Sequence, residues 1–235
     1  MAKVVAIVQS NYIPWKGYFD LIRQSDEFIL YDDAQYTKND WRNRNLVKTQ
    51  HGPKWLTIPI EHRGKLGQKI KDARITDGQW AKSHWSTLQQ TYAKAPYLPL
   101  FRDLLDRLYR NVPGPFLSDI NRAFISSFCD ALGISTRLTS SMDYVLTAED
   151  PTDRVVELCV QAGATEYLSG PAAKAYLDEA AFIRAGIRVR YIDYSRYPEY
   201  PQLYPPFDHA VSIVDLLLMT GPQAVTYLDH RAAAA

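Results

Sequence analysis

The chain has 235 residues, 46% hydrophobic and 23% charged, which supplies enough apolar material for a packed core and argues against wholesale disorder. A net charge of +1 argues against a protein whose main task is gripping duplex nucleic acid through its phosphates. It leaves room for a small anionic ligand, which needs only a few local cations. The length suits a single α/β domain over 1–231, with a helical subdomain over about 80–133 and a short tail at 232–235.

The first predicted element is a strand over Val4–Val8. Its continuous apolar character predicts burial on both faces, and so a central parallel position flanked by the strands expected near Glu27–Tyr31 and Glu166–Ser169. It breaks at Gln9, Ser10 and Asn11, and a short helix is predicted from about Gly17 to Gln24. The turn between carries Tyr12, Pro14, Trp15, Lys16 and Tyr18, whereas ordinary connecting turns are small and polar.

A third strand is predicted over Trp55–Ile60, with Pro59 marking an edge or an end, and a weak fourth over Lys69–Ile75. From Trp80 to about Gly133 the pattern turns helical. Alternation then resumes: strands over Ser135–Leu138, Glu166–Ser169 and Ile187–Ile192, and helices over Pro151–Ala162, Lys174–Ala185 and Val211–Thr220. Such alternation predicts a Rossmann-like α/β fold, a largely parallel sheet flanked by helices, with a helical insertion around 80–133. The stretch Tyr191–Phe207, rich in Tyr and Pro, reads as an irregular loop that either packs on the body or walls a pocket.

Cys129 and Cys159 sit in apolar helical contexts without a CxxC pair, so they read as buried reduced thiols. No signal peptide precedes the first strand, and the longest apolar run, Ile213–Met219, contains Asp215 and is too short to span a bilayer. A cytoplasmic protein without membrane insertion is expected; the oligomeric state is left open. His51, His62 and His84 lack metal-ligand spacing, and no metal site is expected. His209 reads as a cap or a general base, His230 as inert, and Ser212 with Asp215 as the opening of the last helix.

Ligands of a doubly wound sheet bind beyond the carboxyl ends of the strands. Gln9 to Tyr18 would sit at that mouth, where a helix N-terminus directs its amides. The second strand leads into YDDAQYTKNDWRNRN, residues 31–45, which mixes both charge signs with amides, Tyr36 and Trp41. Asp32, Asp33, Lys16 and Tyr18 are the catalytic candidates. The ligand-binding candidates are Gln9, Asn11, Tyr12, Trp15 and Gly17 in the first loop, and Gln35, Arg42, Asn43 and Arg44 in the second. Ser169 and Gly170 join them from a third strand end, where a plain turn is the alternative. Of these, Gln9, Asn11, Trp15, Gly17, Asp32, Arg42 and Asn43 are expected to line one cavity. Trp15 and Tyr18 would otherwise plug the first helix onto the sheet.

The segments QSNYIPWKGYF, YDDAQYTKNDWRNRNLVKT, GPKWLTIPI, YLSG and YPQLYPPFDHAVSIVDLLLMTG together resemble the WbqC-like family, almost end to end. That resemblance implies a link to bacterial O-antigen and other surface-polysaccharide biosynthesis. A more distant similarity is to nucleotidyltransferases of the HIGH superfamily, whose HxGH turn contacts nucleotide phosphates. Here the turn reads Trp15-Lys16-Gly17-Tyr18, with the glycine kept and both histidines replaced. The resemblances imply a nucleotide- or nucleotide-sugar-binding transferase, with group transfer onto an amino group as one form. Asp32 or Asp33 would be its base, and Arg42, Arg44 and Lys16 would neutralise an anionic ligand. The alternative is a non-catalytic binding or scaffold protein that retains an ancestral nucleotide pocket.

Overall fold

In the computed structural model, which describes residues 2–228, β1 (Val4–Val8) lies at the centre of a five-stranded parallel sheet. β1 pairs on one side with β2 (Glu27–Leu30), Val5 opposite Glu27, and on the other with β6 (Glu166–Ser169), Val4 opposite Glu166. β5 (Arg137–Ser140) adds to β2 and β7 (Arg188–Tyr191) adds to β6, giving the order β5-β2-β1-β6-β7. Burial of the three inner strands, β1, β2 and β6, on both faces is the cause: successive residues feed two separate cores.

Ala6, Phe28, Leu30 and Leu168 face one core, shared with α1 (Lys16–Arg23), α2 (Gln79–Thr91), α3 (Leu98–Arg110), α4 (Leu117–Ala131) and α7 (Ile213–Thr220). Val5, Ile7, Ile29 and Tyr167 face the other, closed by Leu158 and Cys159 of α5 (Pro151–Gln161) and Phe182 of α6 (Glu179–Arg184). Both cysteines are buried and free. The chain adds strands first on one side of β1 and then on the other. The order therefore reverses between β1 and β6, and a crevice opens beyond their carboxyl ends.

The helical block expected over 80–133 resolves into α2, α3 and α4. The remaining strands depart from expectation. Residues 44–49, read as the end of a loop and its continuation, form β3 (Arg44–Thr49), which pairs antiparallel with β4 (Gly52–Thr57) in a hairpin outside the main sheet. β4 thus begins earlier than the strand predicted over Trp55–Ile60. The fourth strand expected over Lys69–Ile75 is instead a 3-10 turn, Ile70–Asp72, between isolated bridges from Lys69 to Gln35 and from Ile75 to Ile60. Burial of Ile70 beneath that turn outweighs a weak alternation.

The helix expected over Lys174–Ala185 breaks in two, because the Asp178 carboxylate accepts the Ala180 amide and starts α6 afresh. α5 begins as its sequence requires: Asp150 accepts from the Thr152 and Asp153 amides, with Pro151 next. Ser212 caps α7 through the Val214 amide, and Gly221, at φ +59°, ends it. Asp215 does not share that capping role. It accepts from Tyr92, Tyr200 and Gln202 inside the protein. No helix among the described residues is long and apolar enough to cross a membrane. His230 and the tail at 232–235 lie outside the described residues.

Candidate functional site

Three segments meet beyond the end of β1. The first loop is tied to the second by a hydrogen bond from the Tyr12 amide to the Trp41 carbonyl, 3.0 Å. Asn45, in β3, donates its side-chain amide to the carbonyls of Tyr12 (3.2 Å) and Ile13 (3.0 Å). The third segment precedes α7: the Ile213 amide donates to the Pro14 carbonyl at 2.8 Å, and Trp15 bridges Ser212. Between them lies a cleft of about 330 Å³. The first loop lines it with Asn11, Pro14 and Trp15, the second region with Trp41 and Asn45, and the third with His209 and Ala210.

Two of these polar side chains have unused hydrogen-bonding capacity. Asn11 Oδ1 and His209 Nδ1 are buried and without partners among the described residues. An idle buried polar atom costs about 1–3 kcal/mol, so such pairs occur where a ligand or water completes them. Burial, and then the nearby Lys16 ammonium, lower the His209 pKa, so its imidazole is neutral near pH 7. At the rim, Trp41 is 41% and Trp55 40% exposed, with ring centroids 5.3 Å apart. The Arg44 guanidinium stacks on Trp55 at 4.1 Å. These rings form an exposed aromatic ledge running out of the cleft.

Of the seven residues expected to line one cavity, Asn11 and Trp15 do so. Gln9 serves through its backbone, its carbonyl accepting from Tyr18 Oη at 3.1 Å. Burial raises the Tyr18 hydroxyl well above its ordinary pKa, and the ring packs on Phe28 as a core residue. Tyr12 is also core: its hydroxyl lies 2.9 Å from His84 Nδ1 and 2.8 Å from Tyr109 Oη. Gly17 is needed for closeness, but to Trp15 rather than to an open pocket. A Cβ there would sit 2.3 Å from Trp15 Cζ2. Lys16 is 2% exposed; its ammonium donates to the Pro198 carbonyl at 2.9 Å and lies over the rings of Tyr197, Tyr200 and Phe207. Burial lowers its pKa to about 8. Tyr194 and Tyr197 pack on Trp15, so the Tyr- and Pro-rich stretch both packs on the body and backs a cleft wall.

Neither aspartate lines the cleft. Asp32 is buried and accepts from the Ser10 amide at 2.9 Å and from the Ser118 hydroxyl. Burial raises its pKa against those hydrogen bonds. Burial would raise Asp33 too, but Lys71, Ser141 and Lys69 together hold its carboxyl below the ordinary value. Asn43 donates to the Ile58 carbonyl, and Arg42 pairs with Asp40 at 2.6 Å. Nε of Arg42, Nε of Arg44 and Oδ1 of Asn43 are buried without partners among the described residues. Gln35 faces a separate groove with Lys38 and His62. Ser169 donates to Tyr167 Oη at 3.3 Å, and Gly170 lies beneath the Tyr194 hydroxyl.

Sequence reasoning left Trp41, Asn45 and His209 out of the site. Trp41 carries a signal, as a large ring in a charged loop, and His209 reads in the sequence as a cap or a general base. Asn45 closes the polar stretch 31–45, but its place in the cleft depends on β3.

A doubly wound, Rossmann-like α/β protein with a ligand-sized cleft at the mouth of its first strand is the class defined by this fold and site. Both halves of the cleft's first wall, Asn11 and Trp15, come from the segment QSNYIPWKGYF. The profile of the WbqC-like protein family matches residues 9–227, and the chain belongs to that family. It is 50% identical over 228 residues to the uncharacterized protein Rv1507c of Mycobacterium tuberculosis, covering 97% of this chain and 98% of that relative. No solved structure matches it significantly.

Proposed function

We propose that the protein is a nucleotide- or nucleotide-sugar-binding transferase of a bacterial biosynthetic pathway, surface-polysaccharide synthesis or a related one, and that the cleft is its ligand site. The observation that carries this reading is the pairing of idle polar atoms on Asn11 and His209 with tryptophans from two different loops. Convergent polar groups on aromatic walls are the usual make-up of a small-molecule site. Group transfer onto an amino group is the form of chemistry proposed. A neutral amine attacks the transferred group of the donor; the new bond to nitrogen forms as the bond from that group to its carrier breaks, the carrier departs with the electron pair, and the proton the amine releases goes to a base. His209 suits that role better than Asp32 or Asp33, because it lines the cleft and both carboxylates are engaged elsewhere.

A second reading, a non-catalytic binding or scaffold protein, is favoured by one specific observation. The surface above Gly17, where a phosphate would approach, is covered by Trp15. A thermal-shift screen of nucleotides, nucleotide-sugars and acyl-CoAs, followed by product analysis with the best binder, separates the two. Stabilisation with turnover is expected. Stabilisation without turnover favours the second reading, and no stabilisation by any of the three classes removes the first.

A further inference from the structure

In a doubly wound fold the diphosphate of a nucleotide normally rests on the N-terminus of the first helix. Here Trp15 lies across that first turn, with Tyr194 edge-on to it at 5.0 Å. The open volume has moved outward, to the cleft. None of its described lining residues is a lysine, an arginine or a carboxylate. An anion placed there would give up hydration with no cation in the lining to replace it, because the Lys16 ammonium near His209 is held by the Pro198 carbonyl and three rings. The cleft does offer two indoles, a carboxamide with an idle oxygen and a neutral imidazole. The nearest stacked cation on the way out is Arg44, on the ledge.

A pyranose ring matches that division. It has an apolar C–H face for an indole and an edge of hydroxyls or amides for Asn and His. We propose that the cleft is a saccharide subsite, in which a neutral sugar ring packs on Trp41 and hydrogen-bonds to Asn11 and His209. The nucleoside diphosphate it is attached to runs out over the ledge, its phosphates toward Arg44 and its base toward Trp55. An exposed indole stacks any base, and a guanidinium beside it serves phosphate. This assignment rests on the nucleotide-sugar reading above and adds its orientation: sugar inside, charge outside.

The test uses the full chain and calorimetric titration with four nucleotide-sugars (UDP-glucose, UDP-N-acetylglucosamine, GDP-mannose, dTDP-glucose) beside UDP, GDP and dTDP. At least one conjugate should bind about tenfold more tightly than its own diphosphate. Asn11→Ala should erase that difference while leaving the diphosphate's affinity unchanged, and Arg44→Ala should weaken conjugate and diphosphate alike. His209→Gln repeats the first measurement from the opposite wall, so a folding defect in one variant, seen in its melting curve, does not remove the test. If diphosphates bind as tightly as their conjugates, or if Asn11→Ala weakens both equally, the base or phosphate occupies the cleft. That overturns the saccharide assignment and leaves nucleotide binding intact. If none of the seven compounds binds, both fall.

Discussion

Ser10 and Asn11 are neighbours in one loop, yet they serve two unlike regions. Ser10 belongs to a buried network that holds the loop, in which Asn121 Oδ1 alone of the side-chain atoms has no partner among the described residues. Its amide donates to Asp32, its hydroxyl accepts from Asn121, and Asn121 also donates to the Arg42 carbonyl. Ser118 completes Asp32 from the first turn of α4. Asn11, one residue on, lines the cleft, and its buried Oδ1 has no partner among the described residues. The inward side of the loop is engaged in folding hydrogen bonds, and the outward side borders the cleft. Polar residues near a strand end are therefore not equivalent. The ones whose hydrogen bonds are made position the loop, and the ones left unmade beside an open cleft are the candidates for binding.

Removing a group from the buried network should cost the most stability. Asp32→Ala strands the Ser10 amide and the Ser118 hydroxyl, each worth about 1–3 kcal/mol when left unpaired and buried. Urea unfolding should show a loss on the order of 3 kcal/mol. A variant that keeps its stability and loses only ligand binding would move Asp32 from the network into the site.

Lys16 sharpens the contrast through pH. In the folded protein it gives up its proton near pH 8, against 10.5 ordinarily, because of burial. Between those values the unfolded chain holds the extra proton, so stability rises with pH across that window and is flat, as far as this group goes, below it. The rise is at most about 3 kcal/mol. Lys16→Met should abolish it and leave ligand binding intact, since the ammonium is caged by Tyr197, Tyr200 and Phe207. Stability curves at pH 7, 8.5 and 10 check the first point. A Lys16→Met protein that folds but no longer binds would return Lys16 to the site.

Gly17→Ala acts on the boundary between the two regions. Its new methyl must displace the Trp15 indole. The stability cost should be about 1–2 kcal/mol, since a side chain rather than backbone gives way. Ligand affinity should fall further than stability does, because Trp15 is a cleft wall. Affinity unchanged with Trp15 displaced would separate that ring from the ligand.

The smallest stability effect is expected for Asn11→Ala. Its side chain makes no hydrogen bond among the described residues, so the change should lie within about 0.5 kcal/mol, or be slightly stabilising. A loss above about 1.5 kcal/mol would show that Asn11 is part of the network after all and would end the contrast with Ser10.

Much of the fold was legible in the chain itself. β1 and β6 were bounded to the residue, and β2 to within one. Short, largely apolar runs (VVAIV, EFIL, EYLS) alternating with helices leave few other arrangements than a parallel sheet. The aromatic turn was likewise legible as unusual, and Asn11 and Trp15 could be named from it. What the sequence could not settle was which polar groups find partners. Asp32, Asp33 and Lys16 look catalytic in a string, but their partners Ser118, Ser141, Lys71 and Pro198 arrive from elements 38 to 182 residues away. His209 and Asn45 enter the cleft only because the hairpin and the segment before α7 dock on the first loop. Periodicity is a local property and fixes strands and helices. Hydrogen-bond satisfaction is a long-range one, decided when distant segments meet, and it separates a binding residue from a folding residue.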